Sequence, residues 1–398
     1  MVKETLLGIL KAQTLPPPAP HEVVRALMPD LTPVAGMAMV MTGVRRCGKS
    51  TLQAQLARQL GAAFYCNFED TRLFEFSAAD FPLWLGLLGE LAPSPMPVFL
   101  DEVQEVEGWQ RLVRTLLDHG RQVCLTGSNA SLLGAELGRK LTGRHLSRTV
   151  FPFCYSEYLT YTRQKRGIAS LEQFLNDGGF PMYLLSRRDE VLRELARDVV
   201  QRDVVSRHAL REERHVMNLL LFLLANTGLP FSLQTLSKSL ALPSVTRTSQ
   251  YAAFLQDAYL LFTVPKYSAS FKKRVVAPPK YYAIDNGLRR ANSPQTTPDN
   301  GRRLENAIAL EMLRLGMKPC YADERAAWEC DFVTGDTVWQ ACWQLTDENL
   351  KREARGLLAA KALSRAKRMV VLTAHNQRQT LTRDGEKIEV IPAWEWLG

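Results

Sequence analysis

The segment GVRRCGKST, residues 43–51, constrains the fold of this chain more than any other stretch. It has the spacing G-x-x-x-x-G-K-[S/T], with Gly43, Gly48, Lys49 and Ser50 in register. An apolar run, MAMVMTG (37–43), precedes it, and a periodic stretch, STLQAQLARQL (50–60), follows it. A strand that ends in a glycine-rich loop and opens a helix turns successive amide N–H groups toward one point. The helix N-terminus adds positive potential there. The expectation is a phosphate cradle built from Gly43, Val44, Arg45, Arg46, Cys47, Gly48, Lys49, Ser50 and Thr51. Lys49 would reach the β- and γ-phosphates of ATP, and the Ser50 hydroxyl would ligate Mg²⁺.

More apolar runs recur downstream: AFYCNF (63–68), PVFLDE (97–102) and QVCLTGS (122–128). Between them lie helical stretches such as WQRLVRTLLDHG (109–120). Continuous apolar strands alternating with helices predict a parallel sheet covered on both faces. The second of these runs ends in Asp101 and Glu102. Asp101 is placed to hold Mg²⁺ through water, and Glu102 to act as the general base on an attacking water. Such a pair prepares water rather than a substrate hydroxyl, which argues against a small-molecule kinase. At the end of the next run, Ser128 or Asn129 would orient the attacking water or cap the following helix. The two roles are compatible. Arg139 and Arg144, in GRKLTGRH, are candidates for the transition-state charge on the γ-phosphate, in the same subunit or a neighbouring one. The alternative for both is a surface arginine.

The character changes after FPF (151–153). Residues 155–225 are helix-compatible almost throughout, and DEVLRELARDVVQRDVV (189–205) reads as a charged amphipathic helix. In 226–290, LQTLSKSLAL and TRTSQYAAFLQDAYL predict two helices joined by a turn. LFTVPKY and PPKYYAID then predict strands around a basic turn, SASFKKR (268–274). Helix, turn, helix and a two-stranded wing make a winged-helix pattern. SPQTTPDNG (293–301) marks a boundary, and the last hundred residues read as a small α/β domain.

Charge points to a partner. Lys and Arg outnumber Asp and Glu by 50 to 41, with a pI near 9.2. That balance favours an acidic macromolecule, DNA being the usual one. Lys266, Lys272, Lys273, Arg274, Lys280, Arg289 and Arg290 crowd one segment, interleaved with aromatics, and Asp285 is its only acidic residue. Arg247 on the second helix and Lys272, Lys273 and Arg274 at the wing would neutralise phosphates. The alternative is a winged helix that only packs between domains. No apolar run reaches the ~18 residues of a membrane helix. The seven cysteines are odd in number and lack C-x-x-C spacing, which predicts reduced thiols in a cytoplasmic protein.

The sequence resembles the prokaryotic AAA-type (AAA+) ATPases that carry a C-terminal winged helix and a restriction-endonuclease-like domain of unknown function. The motifs that carry the resemblance run from GVRRCGKST through NFEDTR (67–72), FLDEVQEVEGW (99–109), LTGSNASLL (125–133), LTGR (141–144), FPFCYSEYL (151–159) and NDGGFPMYL (176–184). They continue in YYAIDNGLRRA (281–291), LENAIALEML (304–313) and ECDFV (329–333). The resemblance implies an α/β fold: an N-terminal helical segment (1–30), a P-loop AAA+ core with a parallel sheet (31–153) and a helical lid (154–225). A winged helix (226–292) and a small PD-(D/E)xK-like α/β domain (298–398) follow. It implies Asp101 and Glu102 as the Walker B pair, Arg144 as arginine finger or sensor, and a homo-oligomer. Glu69, Asp70 and Arg72 belong to one of its motifs without a derivable role.

A nuclease of that type needs metal-binding carboxylates and a lysine. Glu305 and Asp331 are the carboxylates available. Gln340 stands where a second strand carboxylate is expected, and Cys342 where the lysine is expected. Gln is the weaker Mg²⁺ ligand and Cys lacks the charge, so a vestigial site kept for binding or assembly is the better reading. Three functions remain: an ATP-driven DNA-binding protein of repair, replication or defence, an NTP-dependent switch with a protein partner, and an ATP-gated nuclease.

Overall fold

A computed structural model describes residues 1–18, 21–34, 36–128, 143–293, 299–324 and 327–398. It forms two compact units, Met1–Phe151 and Pro152–Gly398. Asn129 and Arg139 lie outside the described residues.

In the first unit, α1 is Lys3–Ala12, β1 Ala38–Thr42, α2 Lys49–Leu60, β2 Phe64–Asn67 and α3 Phe81–Leu91. Then come β3 (Val98–Asp101), α4 (Trp109–Asp118), β4 (Val123–Gly127) and β5 (His145–Thr149). The five strands form one sheet in the order β2-β3-β4-β1-β5, and every pairing is parallel. All residues of β1, β3 and β4 are buried, as their unbroken apolar runs require in a sheet covered on both faces. One cluster packs Leu6, Ile9 and Leu10 of α1 with Trp84 and Leu88 of α3 and Leu112 and Leu116 of α4. The N-terminal helix is therefore part of this unit's core. Parallel pairing brings the carboxyl ends of β1, β3 and β4 to one edge, where the phosphate loop, the acidic pair and Ser128 lie.

The second unit begins with helices: α5 (Tyr155–Thr162), α6 (Ile168–Asp177), α7 (Pro181–Ser186), α8 (Asp189–Val199) and α9 (Glu213–Ala225). A π-helical turn, Val200–Ser206, continues α8. The helix pair is α10 (Leu233–Ser239) and α11 (Val245–Asp257). The antiparallel pair β6 (Leu261–Val264) and β7 (Lys280–Ala283) follows. The expected basic turn between these strands is in part a helix, α12 (Phe271–Val276). The Arg274 N–H donates to Ser270 O at 3.0 Å. FKKRVV holds no Gly or Pro to break such a turn, and Lys and Arg form helices readily. Lys272, Lys273 and Arg274 thus sit on a helix rather than at the tip of a wing.

After α13 (Asn286–Ala291) and α14 (Asn300–Arg314), the chain forms β8 (Cys320–Glu324), β9 (Trp328–Thr334) and β10 (Thr337–Cys342). It ends with α15 (Asp347–Ser364), β11 (Arg368–Thr373), β12 (Gln379–Arg383), β13 (Glu386–Pro392) and α16 (Ala393–Trp396). Six strands make a mixed sheet in the order β12-β13-β11-β10-β9-β8. Leu357 and Ala360 of α15 pack into its core with Cys330, Val338, Val371 and Ile388.

A knot of close backbone contacts joins three of the motifs in this unit. The Gly179 N–H donates to Asp285 Oδ2 at 2.6 Å, and Phe153 N–H donates to Gly179 O at 2.8 Å. Asp285 also caps α13 by accepting from Leu288 N–H at 2.7 Å. Burial pushes its carboxyl up to about 6, against the pull of these backbone donors. A Cβ on Gly179 would lie 2.1 Å from Phe153 O, and one on Gly287 would lie 2.0 Å from Asp177 O. Both glycines are there for close approach. Gly179→Ala and Gly287→Ala should each lower stability by about 1–3 kcal/mol or more in urea unfolding. Gly8→Ala, in helix α1 with nothing within 4 Å, serves as the control and should be neutral or slightly stabilising.

Candidate active site

The loop 43–48 leaves β1 through Gly43, at φ 144°, where a Cβ would stand 2.1 Å from Val150 O. Cys47 is fully buried and its thiol donates to the same carbonyl at 3.2 Å. Burial pushes this thiol up, so it remains a neutral donor despite Lys49 nearby. Gly48 takes the left-handed conformation as the N-cap of α2. The Lys49 side chain is only 4% exposed and folds back over the loop. Its ammonium donates to Gly43 O at 3.1 Å and Val44 O at 3.2 Å. Ser50 and Thr51, on the first turn of α2, are half-buried, Arg45 is half-buried and Arg46 is exposed. On α2, Gln53 donates to Leu100 O and Cys124 O, fastening the helix across β3 and β4.

Asp101 ends β3 and is buried. It accepts a hydrogen bond from the Tyr65 hydroxyl at 2.8 Å and another from the Thr126 hydroxyl. Burial, and then the Asp101 charge, push the Tyr65 phenol up, so it stays a donor. Thr126 Oγ1 in turn accepts from Glu102 N–H at 3.0 Å. One hydroxyl therefore fixes both members of the acidic pair. Glu102 adopts φ 49°, ψ 50°, a left-handed conformation uncommon for a residue with a side chain. Its carboxylate lies 3.9 Å from the Lys49 ammonium and also accepts from Gln104. Ser128 is fully buried just beyond β4.

The sequence did not signal Tyr65, Gln53, Thr126 or Arg25. Arg25 is buried, and its guanidinium donates to Cys47 O at 2.9 Å and Phe151 O at 2.6 Å. NFEDTR acquires a location: Glu69 pairs with Arg45 of the loop at 3.3 Å. The Arg72 guanidinium, with help from Gln13, holds the Asp70 carboxyl well below its usual range. Arg144 is placed differently from the expectation of a group acting on its own subunit's γ-phosphate. It precedes β5, bonded to Asp118 and to Gly36 O. The parallel register sets Thr149, not Arg144, beside Thr42. At about 3.3 Å per residue, Arg144 lies roughly 20 Å down the strand from Val150.

Residues 36–159 match the family model for an AAA domain, and residues 168–299 match a domain of unknown function, DUF8612. An uncharacterized protein of Haemophilus influenzae is 32% identical over 305 residues, covering 70% of this chain and 74% of that protein. The chain belongs to that protein's family and carries an AAA domain. A second uncharacterized protein, from Methanocaldococcus jannaschii, is 28% identical over 392 residues, covering 90% of this chain and 87% of that one. Among solved structures, AMPPCP-bound DnaA from Aquifex aeolicus is similar at 14% identity and a TM-score of 0.28, covering 58% of this chain and 84% of that chain. PCH-2 of C. elegans is similar at 14% identity and a TM-score of 0.24, covering 56% and 60%.

Outside the AAA domain, Glu305 of α14 and Asp331 of β9 do come together. Asp331 N–H faces Gln340 Oε1 at 3.4 Å, and Asp331 Oδ2 accepts from Ala341 N–H at 2.9 Å. Burial first, then Glu305, hold the Asp331 carboxyl well above the usual carboxylate range. The Cys342 thiol donates to Gln344 O, and Arg352 pairs with Glu353. The lysine that meets these carboxylates is Lys280 of β7, which the sequence placed in the basic patch. That patch is largely committed inside the unit. Lys266 pairs with Asp323, Arg290 with Asp189, and Arg289 is buried, donating to Leu224 O. Arg247, Lys272 and Arg274 are exposed.

Arg25 is the group whose removal should loosen the phosphate loop. With Arg25→Gln, amide hydrogen exchange should speed up across residues 43–49 and stay unchanged in β3. Arg25→Lys should restore only part of the protection, since an ammonium lacks the planar fork that serves two carbonyls at once. Unchanged exchange in Arg25→Gln would remove this role.

Proposed function

We propose that the AAA domain binds ATP on residues 43–51 and hydrolyses it with Glu102 as general base. The observation that carries this reading is the meeting of Lys49, Glu102 and the hydroxyl-held Asp101 at one edge of the sheet. A buried ammonium that donates to carbonyls of its own loop, with the Glu102 carboxylate at 3.9 Å, is a cation that phosphate oxygens would satisfy better, because charged acceptors make stronger hydrogen bonds. Gly43 and Gly48 let the loop close against Val150 O and Arg25, which a Cβ would approach to 2.1 Å and 3.2 Å.

The donors also suit Mg²⁺, a hard cation that prefers oxygen ligands. Ser50 and Asp101 would hold it, and Asp101 already has its orientation set by two hydroxyls. Bound there, the ion would neutralise charge on the β- and γ-phosphates. Glu102 takes the proton of the attacking water, aimed by its left-handed backbone and by the bond from its N–H to Thr126. Lys49 balances the charge that builds on the γ-phosphate, and Ser128 or Asn129 would orient the water. Arg144 belongs to the far edge of its own sheet, so in this reading it serves the site of a second copy.

Lys49→Ala should abolish nucleotide binding in calorimetry. Glu102→Gln should still bind ATP while its turnover falls by about 10²–10⁴-fold. A Glu102→Gln protein hydrolysing at the wild-type rate sinks the assignment. If Arg144 acts on a neighbour, turnover per chain rises with protein concentration in the wild type and stays low at every concentration in Arg144→Ala. A wild-type rate independent of concentration, down to a monomer by mass measurement, would count against it.

The partner of the second unit is read from charge. Among the described side chains, Lys272 and Arg274 of the basic segment are exposed, as is Arg247 on α11, and these are groups that would meet DNA. With Lys266, Lys280, Arg289 and Arg290 committed internally, an NTP-dependent switch with a protein partner gains support against an ATP-driven DNA-binding protein.

A further inference from the structure

Lys280 is the first residue of β7 and is only 1% exposed. Its ammonium lies 3.0 Å from Glu305 Oε1 on α14, and 2.7 Å from Glu329 Oε1 and 3.5 Å from Asp331 Oδ1 on β9. The Tyr321 ring centroid is 5.5 Å away. The Tyr282 hydroxyl donates to the same Glu305 oxygen at 2.7 Å. A lysine ammonium has three donor hydrogens, and here three carboxylates surround it. A charge this buried persists only when paired. Burial works to lower the lysine's basicity, but the carboxylates outweigh it and hold the ammonium well above its ordinary range.

The same oxygens are the ones a divalent cation would need, at about 2.0–2.6 Å from each. An ammonium and a dication cannot share that space. We propose that Lys280 is the resident cation of this carboxylate cluster: it fastens the β6–β7 pair to α14 and β9, and it keeps divalent metal off Glu305, Glu329 and Asp331. Metal-dependent phosphodiester cleavage is then closed to the C-terminal sheet while β7 is in place. The inference is independent of the ATP reading, since it uses no residue of the first unit.

The test uses the full chain without nucleotide and Mn²⁺ alone as probe, read by calorimetry and by the thermal midpoint. Wild type and Asp331→Asn should give the same Mn²⁺ isotherm. Lys280→Met should gain one Mn²⁺ site, and Lys280→Met/Asp331→Asn should lose it again. Mn²⁺ should raise the Tm of Lys280→Met by several degrees and leave that of wild type unchanged, because a ligand stabilises only the state it binds. Three results overturn the proposal: a wild-type Mn²⁺ site that Asp331→Asn abolishes, a folded Lys280→Met that binds no more Mn²⁺ than wild type, or equal Tm responses. If Lys280→Met does not fold in metal-free buffer, refolding in Mn²⁺ decides. Rescue supports the proposal, and failure of rescue overturns it.

Discussion

β1 pairs in parallel on both sides, with β4 on one and β5 on the other, and everything chemical in the first unit depends on that. Parallel strands must be joined by crossovers, so every carboxyl end faces one way. The end of β1 delivers the loop, β3 delivers Asp101 and Glu102, and β4 delivers Thr126 and Ser128. Once the strands are in register, a single Thr126 hydroxyl can bridge from the Asp101 carboxylate to the Glu102 N–H. The close pass of Val150 over Gly43 fixes the loop from the β5 side. The site is thus a consequence of sheet order before it is a property of any side chain.

This dependence explains what could be read from the sequence. The loop and the acidic pair are local patterns, each a few residues long, and each was legible. Thr126, Tyr65 and Arg25 were not, because their meaning lies in partners 25, 36 and 22 residues away. Arg144 shows the converse. Its place in the chain, soon after the third apolar run, suggested nearness to the γ-phosphate. Register, which sequence proximity does not encode, sets it at the opposite end of β5. The short strand Gln379–Arg383 went unread because a single apolar residue, the half-buried Leu381, stands among exposed polar ones and makes no alternation.

The second unit shows the limit of counting charges. Seven basic residues between Lys266 and Arg290 look like a phosphate-binding stripe when only neighbours in sequence are visible. Lys266, Arg290 and Lys280 instead face Asp323, Asp189 and the pair Glu305 and Asp331, all far along the chain. What remains on the surface is a smaller set, and α12 replaces the turn on which part of it was expected. The residues singled out for a nuclease-like site are spread over 36 positions, and the structure brings them near one another. Asp331 lies against Gln340, and Glu305 and Asp331 meet at Lys280, a basic group from a different element than the one expected.

Glu102 carries one further consequence. A residue with a side chain held in the left-handed region raises the energy of the folded chain by about 1–2 kcal/mol. The strand could run on into α4 more comfortably with glycine there, yet only a carboxylate at that twist points back toward Lys49. The first unit is therefore not folded at its energetic best. One of its left-handed backbone positions falls on the proposed general base, so evolution toward a more rugged version of this domain would press on the residue which that proposed reaction needs.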